Sequence, residues 1–185
     1  MRTLIAIFAT LSCLSAPVVA QVAAAPQFIA LYPDSDPPQS EGIVIPTGSP
    51  VQLVSFPRDW GSTAEFRGQF TLTGTYEIEG YGEDAVATFR PDRGSKDQLP
   101  YWHDRGGPDE IYITNSWAFA QAVAAKEQLV KLEASDPSII RGQATIVADD
   151  YLATIECDSA NFTARFVSVV NAVELASLPP ADEGC

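Results

Sequence analysis

Histidine is almost missing from this sequence of 185 residues: there is one, His103, with three cysteines and 11 Lys and Arg against 24 Asp and Glu. Each shortage excludes something. A lone histidine rules out a three-histidine zinc centre. A net charge of −13 with a pI near 4.2 repels phosphate backbones at long range, so nucleic acid is not an expected partner. There is no GxSxG nucleophile turn, and neither Gly68 nor Gly142 lies in a GxGxxG or GxxxxGK context. The Asp92–Asp97 stretch lacks a calcium-loop pattern, because Gly94 and Lys96 stand where acids are needed. No cofactor and no metal are expected.

What is present is globular: 46% hydrophobic and 19% charged residues, enough for one domain with its own core. Met1-Arg2 followed by the apolar run Leu4–Ala16, with Val18 and Ala20 at the small-residue positions, has the layout of a secretory signal peptide. The run is too short for a comfortable membrane span. Cleavage after Ala20 is expected, with a second site after Ala25 and an uncleaved anchor as the alternatives. The protein is then exported, to a periplasm or the extracellular space, with no stable membrane insertion after cleavage. Removing residues 1–20 removes Arg2 and Cys13, leaving ten bases against 24 acids, a charge of 10 − 24 = −14. The remaining even pair, Cys157 and Cys185, reads as a disulfide pinning the Pro-rich tail 176–185.

Residues 21–50 read as an extended N-terminal wrap, and residues 51–175 as a single β-rich domain. Val51–Phe56 alternates. Ala64–Glu79 is the clearest period-two run, with Phe66, Phe70, Leu72, Gly74, Tyr76 and Ile78 on one parity. It predicts one long strand, bent at Gly68 and Gly74. Ala85–Phe89 and Ile111–Thr114 are further strands. Trp117–Ala134, free of Gly and Pro, predicts a helix whose apolar face is interrupted by Lys126. Ile139–Val147, a turn at Asp149-Asp150, a return strand Tyr151–Cys157 and a last strand Asn161–Val170 complete the order. Arg67-Gly68-Gln69 recurs as Arg141-Gly142-Gln143, and with one inserted residue Tyr76 then aligns with Tyr151. The match is short and defines no second domain.

This order predicts a mostly β (α+β) fold, a small antiparallel, partly closed barrel with one helix inserted between strands. Over residues 64–170 it resembles the oligonucleotide/oligosaccharide-binding barrel type, an architectural resemblance only. An antiparallel sheet packed on one helix is the alternative.

Chemistry concentrates in the irregular stretch Arg90–Glu110, where Tyr101, Trp102 and His103 adjoin Asp104 and Asp109. Two aromatics beside a histidine in a polar loop suit recognition of a protein, peptide or glycan. The bland reading is an aromatic cap over the barrel. No catalytic set stands out, so a non-catalytic exported binding or structural module is expected; a small hydrolase using His103 with a carboxylate is the alternative. Asn161-Phe162-Thr163 also satisfies the glycosylation sequon.

Overall fold

The computed structural model describes residues 25–34, 41–56, 63–134, 139–156 and 159–175. The signal segment, Cys157, Cys185 and the 176–185 tail lie outside the described residues. Three short strands come first: β1 (Gln27–Ala30), β2 (Gly42–Ile45) and β3 (Gln52–Ser55). β4 (Thr63–Arg67) and β5 (Phe70–Glu79) follow, then β6 (Val86–Pro91). A one-turn helix α1 (Arg93–Lys96) leads to β7 (Tyr101–Trp102) and β8 (Ile111–Ile113). Helices α2 (Ser116–Val123) and α3 (Lys126–Glu133) precede two 17-residue strands, β9 (Ile140–Glu156) and β10 (Ser159–Leu175).

Five strands close a ring in the order β5-β6-β8-β10-β9, with β9 returning to β5. All neighbours are antiparallel except β8 and β10, which pair in parallel through Thr163 opposite Tyr112 and Ala164 opposite Ile113. The protein is a small, mostly β barrel, and in strand count and helix placement it resembles the type named above. Closure is complete rather than partial: where the short β8 ends, the Asn115 side chain carries the ladder on. Its amide donates to the Phe166 carbonyl at 2.9 Å and its carbonyl accepts from the Phe166 N–H at 2.8 Å. α2 then packs along β10, which protects that edge.

The alternating parity of β5 follows from this ring. Phe70, Leu72, Tyr76 and Ile78 are buried inside, and the threonines between them are exposed. Gly74 stands opposite Pro91 with an ordinary φ, and a Cβ there would strike the Arg90 carbonyl. Close backbone approach, not a left-handed conformation, is what requires glycine at this position.

The chain departs from the sequence expectation at four places. The long strand is two, β4 and β5, which lie end to end along one edge of β9 with a one-residue register change between Phe66–Tyr151 and Phe70–Ala148. Gly68 takes φ +127° at the break. Asp149-Asp150 is not a turn. β9 runs straight through it, Asp150 at φ 48°, and the chain reverses between Glu156 and Ser159 instead. Arg165 on β10 holds that bulge, with Nη2 donating to Asp149 at 2.8 Å and Nε to Asp150 at 2.9 Å. The two carboxylates hold the Arg165 guanidinium above its ordinary range, the Asp150 hydrogen bond first. A sequence reader sees a polar pair and expects a turn; the cross-strand arginine makes it a bulge.

The single helix is likewise two. Ala124 and Ala125 are both extended, with ψ of 147°, and the Ala125 N–H donates to the Glu174 carboxylate at 3.0 Å. The break re-phases the second helix so that Lys126, which spoiled a continuous apolar face, starts a new one. Finally, residues 25–34 and 41–50 are more than a wrap. β1, β2 and β7 form a separate three-stranded sheet, with Ile43 opposite Trp102 and Val44 opposite Tyr101. Leu31 and Ile43 join the same core as the barrel. Among the described residues, no helix is long and apolar enough to cross a membrane.

Candidate functional site

The Arg90–Glu110 stretch is seated before it is exposed. Asp92 caps α1 by accepting from the Ser95 N–H at 2.8 Å, and the Ser95 hydroxyl accepts from the Thr73 N–H at 2.9 Å, tying the helix to β5. Leu99 and Trp102 are each 1% exposed. Between them the Pro100 carbonyl accepts a hydrogen bond from Tyr151 of β9 at 2.8 Å. His103 N–H donates to the Gly42 carbonyl, and Arg105 and Gly106 N–H both turn back onto the Trp102 carbonyl. Residues 103–110 therefore form a ridge on a fixed base, exposed at 103–106 and at Asp109 and anchored again at the buried Pro108.

The five residues singled out from the sequence go to different places. Trp102 belongs to the core, its ring 5.7 Å from that of Phe56, so as a surface recognition residue it is corrected: pairing of β7 with β2 turns it inward. Tyr101 is half-buried on the opposite parity and lines a cleft of about 530 Å³ together with Val44, Pro46 and Lys96. His103 is exposed; its Nδ1 lies 2.9 Å from Asp104 and its ring sits edge-on to Phe28 at 5.5 Å. It lines neither this cleft nor the next. Asp104 and Asp109 do come together, in a cleft of about 470 Å³ between the ridge and the start of β10. Gly107 lines both clefts, so the ridge is the wall between them.

The second cleft also contains Arg105, Glu110, Tyr112 and Asn161. Tyr112 is 42% exposed at the centre of the outer barrel face, opposite Thr88 on one side and Thr163 on the other. Sequence reading passed over it. Its signal is the outward parity of IYIT, an aromatic where the other outward barrel positions are mostly polar. Asn161, read as a sequon and as the first residue of the last strand, lines the cleft, and β10 begins two residues before it, at Ser159.

The ionic groups of this cleft are already matched. Asp109 pairs with Lys96, Glu110 accepts from Arg90 at 2.9 Å, and Arg105 lies 3.8 Å from Glu41. Elsewhere Arg93, Arg141 and Arg165 face Asp97, Glu77 and the Asp149-Asp150 pair. Among the described residues no three His, Cys, Asp or Glu side chains gather as metal ligands would.

Compared with protein-family models, with characterised proteins and with solved structures, the chain matches none of them.

Proposed function

We propose that this chain is an exported, non-catalytic binding module that presents residues 103–110 and the clefts on either side as its recognition surface. The observation that carries this reading is the construction of the ridge: a buried base of Leu99 and Trp102 holds an exposed, polar, charge-matched crest in one position. Binding loops on rigid scaffolds have this design. Nucleic acid is disfavoured as the ligand, since the bases named above face carboxylates and offer no continuous positive track. The hydrolase alternative is weaker, because a general base must reach a nucleophile in a concave site and the His103 ring faces Asp104 and Phe28 outside both clefts.

The test is retention of material from the protein's own extracytoplasmic extract by wild type and by Tyr112→Ala. Capture by wild type that Tyr112→Ala loses supports the reading. Turnover of a hydrolase substrate that His103→Ala abolishes, with binding preserved, overturns it. Export carries its own check: the secreted protein should begin at Gln21 and, with Cys157 bonded to Cys185, should titrate no free thiol when denatured without reductant.

A further inference from the structure

We infer that the cleft between the ridge and the start of β10 takes an uncharged polyhydroxyl ligand, a glycan; the inference rests on the ridge being a binding surface. At about 470 Å³ the cleft has the size of a small-ligand site. Of its two aromatic lining residues Phe162 is buried, and the half-exposed Tyr112 ring offers the face against which the apolar C–H side of a sugar ring can lie.

The charge arrangement selects among ligand classes. Asp109, Glu110 and Arg105 each already have a counter-ion, and Asp104 has the His103 ring nitrogen at 2.9 Å. A charged ligand would have to displace one of these partners and leave it uncompensated. Matched ions nevertheless keep hydrogen-bonding capacity. Asp109 and Glu110, each facing one base, are carboxylates with about four lone-pair sites apiece. Adding the Asn161 amide and the Ser159 hydroxyl gives a wall of mixed donors and acceptors, in which two of the three acids are paired with Lys96 and Arg90 from outside the lining. Hydroxyl groups donate and accept at once and fit such a wall without disturbing it. The neighbouring cleft shows the contrast: Pro26, Val44, Pro46 and Tyr101 make it largely apolar, better suited to side chains than to hydroxyls.

The experiment titrates the ¹⁵N-labelled protein with neutral oligosaccharides built on glucose, mannose, galactose and N-acetylglucosamine, at low and at high salt. Shifts are expected at the Asp104, Tyr112 and Asn161 amides with at least one of them, at an affinity indifferent to salt because the ligand carries no charge. Tyr112→Ala should weaken that binding roughly tenfold or more, as loss of an aromatic anchor does, while Tyr112→Phe keeps it. Unchanged amides of Phe66 and Tyr151 in the variants certify the fold. No shift at those three amides with any saccharide at millimolar concentration, or a cleft ligand whose affinity falls steeply with salt, overturns the glycan assignment. Should extract capture still depend on Tyr112 in that case, the binding-module reading survives without it; should capture ignore Tyr112 as well, both are lost.

Discussion

Two tyrosines on the inner parity of the barrel differ in what their hydroxyls do. Tyr76 lies over Gly142, its register partner on β9, edge-on to Phe119 of α2 at 5.3 Å. Its hydroxyl is buried and has no hydrogen-bond partner among the described residues. Burial, with the Glu174 charge adding to it, pushes this phenol up to about 12. Tyr151 sits nine residues further along β9, roughly 30 Å at strand rise. It packs among Phe66, Phe70 and Phe162, parallel to the last, and its hydroxyl donates to the Pro100 carbonyl. Burial holds this phenol well above its ordinary value too. The Tyr76 end is closed by packing of a helix. The Tyr151 end is closed by packing plus a hydrogen bond that holds the 99–102 segment; a buried hydroxyl contributes where it has a partner and costs its desolvation where it has none.

The largest effect expected is at the Tyr151 end. Trp102→Ala removes a 1% exposed indole from beneath the ridge and should cost about 3 to 5 kcal/mol in urea unfolding. A cost under 1 kcal/mol would place Trp102 at the surface after all. At the other end, Gly142→Ala puts a Cβ into the Tyr76 ring and should cost about 1 to 3 kcal/mol, by displacing that ring. The same substitution made in Tyr76→Ala should be tolerated, which a double-mutant cycle reads directly.

Tyr151→Phe and Tyr76→Phe sharpen the comparison further. The first strands the buried Pro100 carbonyl and should cost about 1 to 3 kcal/mol; the second removes an unpaired hydroxyl and should fall within about 0.5 kcal/mol of wild type. Equal costs would mean that both hydroxyls are bonded. Alkaline pH gives the smallest, most graded test. Both folded phenols hold their proton above the ordinary value of 10, so between there and about 12 the unfolded chain binds fewer protons than the folded one, and stability falls as pH rises. Below 10 the tyrosines add no slope. Tyr76→Phe should flatten part of the decline, measured as the urea midpoint against pH.

The sequence pairing of Tyr76 with Tyr151, through the repeated Arg-Gly-Gln, shows where legibility stops. Both tyrosines are inward barrel residues, as parity says. Yet Gly68 lies at φ +127° in a strand break while Gly142 lies flat beneath an aromatic ring, so the two triplets do different work. The exposure of Asp104 and Asp109 was legible because polar loop residues beside Gly and Pro stay outside. Trp102 was not, because two residues of strand in a loop leave no period from which to read a face. The place of Tyr112 in a cleft was missed because the opposite wall is β10, fifty residues further on, arriving in parallel beside β8.

What the amino-acid order determined by itself was local: strand parity, the glycine at a crowded crossing and the helix former between strands. The tertiary structure alone decided which neighbour each face meets. Arg165 converted an expected turn into a bulge, Glu174 accepts the N–H freed where the helix breaks, and β2 turned Trp102 inward. Side-chain alternation is a property of one strand, whereas ring closure and the composition of a cleft depend on residues far apart in sequence, whose proximity no local period encodes.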